Sequence, residues 1–137
     1  MKFLLFFSLS IVLFSSSCRD RTTNVPYVPV DLWLNINEPQ WFNLMVPSGW
    51  EYATGGSRGM IIYRNNMEEF TVLERHSPYN AEESCAVVVT DDNIIVEDPC
   101  SGSQWLILDG SIVTGPTNFP LVIYDVTFDD PYLHITN

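Results

Sequence analysis

The sequence predicts an all-β domain, either an antiparallel sandwich or a small barrel. Short β-branched and aromatic runs recur through residues 30–137, each bounded by Gly, Pro, Asn or Asp. No stretch there carries a convincing apolar stripe at helical spacing. Asp109 and Gly110 lie between the apolar runs WLIL and SIV, a strong short-range hairpin signal. The composition agrees: 46% hydrophobic, 13% aromatic and only 17% charged residues place the chain far from disorder. At 137 residues it is long enough for one domain with a real core.

The chain opens with Lys2, an apolar run from Phe3 to Phe14, and then Ser15, Ser16, Ser17 and Cys18. A basic residue, an apolar segment and small residues in that order predict a signal peptide over residues 1–17. The run is shorter than the roughly 20 residues a spanning helix needs. Small residues before a cysteine resemble a bacterial lipobox, which implies that Cys18 is lipidated and becomes the mature N-terminus. Its chains would provide a membrane anchor. The expected location is the bacterial cell envelope, on the inner or outer membrane, facing the periplasm. Residues 18–29 are polar and punctuated by proline, as expected of a tether, and the β domain is expected over residues 30–137.

Within the domain, Val30, Leu32 and Leu34 alternate with Asp31, Trp33 and Asn35, a period of two that predicts the first strand. Leu44 to Val46 and Trp50 to Tyr52 read as short strands, and TGGSRG (Thr54 to Gly59) reads as a turn. MIIYR and EFTVLE form a predicted hairpin around Asn65 and Asn66, as do AVVVT and NIIVE around Asp91 and Asp92. LVIYDV and YLHI close the series around Asp129, Asp130 and Pro131.

Six basic against 17 acidic residues give a net charge of −11. Lys2 is the only lysine, so loss of the leader leaves a still more acidic chain. Nucleic acid and anionic lipid surfaces are therefore poor partners for it. No nucleophile elbow, phosphate loop or zinc-protease motif is present, which predicts a non-catalytic protein. With Cys18 assigned to the anchor, Cys85 and Cys100 are left in an oxidising compartment, where an even pair reads first as a disulfide. A reduced pair binding zinc with His76 and Asp98 has the right ligand types but lacks a dedicated spacing. His76 is expected to be a surface loop residue. His134 is expected to point outward between Leu133 and Ile135. The four tryptophans, Trp33, Trp41, Trp50 and Trp105, have the chemistry of a carbohydrate or peptide platform, although aromatics in a β-sandwich are mostly core.

The run DPCSGSQW (Asp98 to Trp105), followed by LILDGSIVTGP, resembles the second cluster-binding loop of Rieske iron-sulfur proteins. That pattern is Cys-Pro-Cys-His-Gly-Ser, then an aromatic, Asp-Gly and Gly-Pro. Cys100, Gly102 and Ser103 match it. Asp98 stands at a cluster-cysteine position and Ser101 at a cluster-histidine position. The first loop is best matched by ERHSPYN, which places Ser77 and Tyr79 at the other cysteine and histidine positions. Upstream, INEPQWFNLMVPSGWEYATGGSRGMIIYR is similar to small Rieske-type lipoproteins of Bacteroidetes.

The resemblance implies a Rieske-like β-sandwich with two apposed loops at one tip. It also implies a disulfide between Cys85 and Cys100, since one branch of the family ties its two loops together in this way. Rieske proteins hold a 2Fe-2S cluster by two thiolates and two imidazoles. All four positions (Ser77, Tyr79, Asp98, Ser101) are replaced here, so the cluster is expected to be absent and the tip to serve as a contact surface for a protein partner. The alternative is a Rieske-type electron-transfer protein with a 2Fe-2S or other metal centre.

Overall fold

A computed structural model describes residues 23–137. The predicted signal peptide, the lipidation site Cys18 and the start of the predicted tether lie outside the described residues. Ten strands follow in order: β1 (Asp31–Asn35), β2 (Trp50–Ala53), β3 (Met60–Arg64), β4 (Phe70–Glu74), β5 (Val88–Val89), β6 (Ile95–Glu97), β7 (Gln104–Leu106), β8 (Ile112–Thr114), β9 (Ile123–Asp129) and β10 (Tyr132–Thr136). They form a six-stranded sheet, ordered β1-β10-β9-β4-β3-β2, and a four-stranded sheet, β5-β6-β7-β8. Every pairing is antiparallel. No helix among the described residues is long and apolar enough to cross a membrane.

The expected hairpins form. Ile61 pairs with Leu73 across β3 and β4, Val89 with Val96 across β5 and β6, and Tyr132 with Asp129 across β9 and β10. Between β7 and β8, the Gly110 amide donates to the Leu106 carbonyl at 2.8 Å, with Gly110 at φ +69°. That conformation is open to glycine at little cost, which is why Asp-Gly marks the turn.

Strands β3 and β4 are buried along their whole length. Alternate residues serve two cores. Met60, Ile62, Phe70 and Val72 join Leu34, Leu44, Leu133 and Ile135 in one, whereas Ile61, Tyr63 and Leu73 join Val87, Val96, Trp105 and Ile107 in the other. A strand covered on both faces has no solvent side, so its sequence reads as a continuous apolar run rather than an alternation.

The expected strand over Leu44–Val46 is not one. Residues Pro39–Met45 form a 3₁₀ segment instead, with Pro39 at its start. Leu44 plugs the first core, and its carbonyl accepts from Arg64 Nη1 at 2.8 Å. Arg64, itself buried, also donates to the carbonyls of Asn66 and Met67. The guanidinium satisfies this buried carbonyl without a β-ladder.

At the N-terminal edge, Asn137 fastens the chain. Its Oδ1 accepts from the Val30 amide at 2.9 Å and its Nδ2 donates to the Val28 carbonyl at 2.8 Å. The described part of the expected tether thus docks on the domain at Val28.

Candidate functional site

Two loops meet at one end of the domain. The first runs from Arg75 to Val87, between β4 and β5, and contains a short 3₁₀ turn at Ala81–Glu83. The second is the tight turn from Asp98 to Ser103 between β6 and β7, closed by the Asp98 amide on the Ser103 carbonyl at 2.9 Å and the Gly102 amide on the Asp98 carbonyl at 2.8 Å. Gly102 takes φ +77° there. A disulfide joins Cys85 in the first loop to Cys100 in the second, with Cα atoms 6.4 Å apart.

Behind the disulfide lies Asp98, 1% exposed. Its Oδ2 accepts the hydroxyls of Ser77 at 2.8 Å and Ser101 at 2.7 Å, and its Oδ1 accepts the Cys100 amide at 2.9 Å. Ser101 Oγ also lies 3.0 Å from Ser103 Oγ, which accepts the Thr117 amide at 3.1 Å. Three of the four residues singled out in the sequence therefore converge, and they bond to one another. Tyr79 does not join them by its side chain. Its amide donates to Ser77 Oγ at 3.3 Å, and the residue lines a cavity of about 300 Å³ with Asn24, Asn80 and Phe119.

Ser77, Asp98 and Ser103 are all buried. Of the two loop segments at the tip, Ser77–Asn80 and Asp98–Ser103, only part therefore faces solvent. Asn80, Pro99, Cys100 and Gly102 are exposed, with Glu82 and Glu83 beside them.

His76 is not a surface residue, contrary to expectation: it is 1% exposed. Its Nδ1 lies 2.8 Å from Ser57 Oγ and its Nε2 2.7 Å from the Ala81 carbonyl. A carbonyl can only accept, so Nε2 carries a proton and donates to it, while Nδ1 pairs with the Ser57 hydroxyl. With both ring nitrogens committed and both sulfurs in a disulfide, the zinc set of His76, Asp98 and the cysteines is not assembled. His134 does lie outward between buried Leu133 and Ile135, as expected, and Trp105 is fully buried.

A second buried network was not anticipated. Glu74, 1% exposed, accepts the amides of Ser57 at 2.7 Å, Arg58 at 3.0 Å and His76 at 2.7 Å, and the phenol of Tyr124 at 2.5 Å. Burial, followed by the hydrogen bond to Glu74 and its charge, raises the Tyr124 phenol well above its ordinary pKa. Gly56, at φ +62°, passes so close that a Cβ there would collide with the Tyr124 hydroxyl and the Glu74 carboxyl. An acidic residue ending the run FTVLE, with the glycine-rich TGGSRG upstream, was the available signal in the sequence. Ser57 and His76 have the contact of a nucleophile and its base, but the neighbouring amides that would stabilise an oxyanion are spent on Glu74. The tip is thus two loops joined by the disulfide and by the hydrogen bonds of Asp98.

No protein-family model matches the chain, and no curated protein matches it. Solved structures that share its fold include two from carbazole dioxygenase systems. One is the ferredoxin of carbazole 1,9a-dioxygenase from Nocardioides aromaticivorans IC177, 13% identical, with a TM-score of 0.52 over 78% of this chain and 95% of that one. The other is a complex of reduced oxygenase and oxidized ferredoxin in carbazole 1,9a-dioxygenase, 16% identical, with a TM-score of 0.52 over 76% of this chain and 92% of that one. The protein has an all-β, Rieske-like fold.

Proposed function

We propose that this protein is a cluster-less Rieske-fold lipoprotein whose tip is a non-catalytic docking surface for a protein partner. The observation that carries the reading is the closed set of hydrogen bonds among Ser77, Asp98 and Ser101. A 2Fe-2S centre of this fold takes two thiolates and two imidazoles. The corresponding positions here offer two hydroxyls, a phenol and a carboxyl group, and the nearest sulfurs are bonded to each other. These residues do not fit the cluster. The carboxyl group and hydroxyls instead tie the loops together from within, as the disulfide does from outside, so the tip keeps its shape without a metal.

An anchor on Cys18 would orient the tip. Asn24 lines the cavity beside Tyr79 and Asn80. Six residues lead from Cys18 to Asn24, a reach of roughly 20 Å at full extension. A lipid on Cys18 would therefore hold the tip near the bilayer, and the partner would be a protein in or on the same membrane. Exposed Glu82 and Glu83 favour a basic surface on that partner.

The test is cross-linking from position 80 in intact cells, compared with the charge-reversed variant Glu82→Lys with Glu83→Lys. A membrane protein captured by the native tip and lost in the variant is the expected result. Capture that is unchanged by charge reversal, or stoichiometric iron in protein purified without chelators, would overturn the proposal.

A further inference from the structure

On the outer face of β1 and β10, Trp33 is opposite His134 and Asn35 is opposite Tyr132, while Leu32, Leu34, Leu133 and Ile135 turn to the other face. Trp33 is 63% exposed and Tyr132 51% exposed. The Trp33 ring stacks on His134 at 3.9 Å with an interplanar angle of 11°, and His134 Nε2 lies 2.7 Å from Asp31 Oδ1. One face of the indole is thereby fixed from behind on a rigid strand, and the other is left to solvent.

The two aromatics share a cleft of about 280 Å³ with Trp41, Asn35, Glu38 and Gln40. Gln40 Nε2 donates to Glu38 Oε2 at 3.0 Å, which joins two of the polar groups on the rim. Single exposed aromatics are ordinary on a protein surface. Aromatics that line one cleft with a few convergent polar groups are the composition of a ligand site. Folding alone does not account for the position of Trp33, because burying it would stabilise the domain and exposing it does not.

We propose that this cleft binds neutral carbohydrate. A pyranose ring presents an apolar C–H face and a rim of hydroxyls that both donate and accept. The free face of Trp33 and the ring of Tyr132 match the first, as amphipathic aromatic surfaces do. The carboxamides of Asn35 and Gln40, which donate and accept, and the carboxyl group of Glu38 match the second. A cation is the competing ligand that the test must exclude, because Trp33, Trp41 and Tyr132 beside the Glu38 carboxyl group also offer ring faces and a charge to it. The cleft is separate from the Asp98 tip and does not depend on the proposal made for it.

The test is calorimetric titration of the full-length protein, in a detergent without a sugar headgroup, with cello-, malto-, xylo- and chito-oligosaccharides and with tetramethylammonium chloride. At least one oligosaccharide is expected to bind. Trp33→Ala and Tyr132→Ala, both at exposed positions, should each weaken it about tenfold or more, a loss of roughly 1.4 kcal/mol. Tyr27→Ala, at a 73% exposed aromatic outside the cleft, should leave binding unchanged. Failure of every oligosaccharide to bind, binding that survives both cleft substitutions, or binding of the quaternary ammonium alone would overturn the proposal.

Discussion

Replacing Asp98 separates two ways in which its carboxyl group could hold the tip, through shape and hydrogen bonding or through charge. The side chain is 1% exposed and accepts from Ser77, Ser101 and the Cys100 amide. Alanine leaves three donors without that acceptor, but they do not lose equally. Cys100 is an exposed residue whose amide bond to Asp98 is only part-buried, and Ser101 is half-buried and can turn to Ser103. Ser77 is fully buried, and its hydroxyl proton keeps only a 3.4 Å contact with the Tyr79 carbonyl. One stranded buried hydroxyl at about 1–3 kcal/mol, plus the void left by the carboxyl group, gives an expected loss of about 2–4 kcal/mol for Asp98→Ala. Asparagine preserves the shape and one acceptor. Each serine hydroxyl can rotate to accept from the new amide, so Asp98→Asn should cost about 1 kcal/mol. Urea unfolding of the oxidised protein checks this, read as a shift in midpoint at unchanged slope. An alanine variant within about 0.5 kcal/mol of native would refute the structural role of the network. Asparagine as costly as alanine would show that charge, not hydrogen-bond geometry, holds the loops.

Two other predictions concern the staple and the second network. Changing both Cys85 and Cys100 to serine opens a link 15 residues apart in sequence, worth about 3 kcal/mol in the chain-entropy estimate. A non-reducing peptide map of the native protein should recover these two cysteines in one cross-linked species, and separate unlinked peptides would contradict the assignment. Tyr124→Phe removes a buried donor to Glu74 and should cost about 1.5–3 kcal/mol near neutral pH. Because the folded-state phenol titrates above its ordinary value, its contribution is complete below about pH 10 and is lost as pH rises towards the folded value. The stability gap between native and variant should therefore narrow above pH 10, and a gap that stays constant from pH 9 to 11 would rule out this coupling.

Hairpins were legible in the sequence because their signals are local. Asp109 and Gly110 lie inside the turn they make, and the runs over β3 and β4 announce strands through β-branched residues alone. The strand expected over Leu44–Val46 fails because what decides these residues is distant: the Leu44 carbonyl faces Arg64, 20 residues away. The same holds for His76. Its polar loop neighbours predict exposure, yet Ser57, 19 residues earlier, gives its ring a buried partner. Trp33 failed in the opposite sense. A period of two places it on the opposite face from Leu32 and Leu34, but only the strand order shows that nothing among the described residues covers that face.

By itself, the sequence determined the β class, most strand positions, the hairpin turns and the cysteine pair across the two loops. These follow from side-chain period, turn chemistry and a resemblance in contiguous motifs, all of which are written along the chain. Only the tertiary structure decided which polar groups are buried and what satisfies them. Asp98 meets Ser77 across 21 residues and Glu74 meets Tyr124 across 50. A buried polar group is tolerated only where a partner arrives in space, and that arrival depends on sheet order rather than on any neighbour in the sequence.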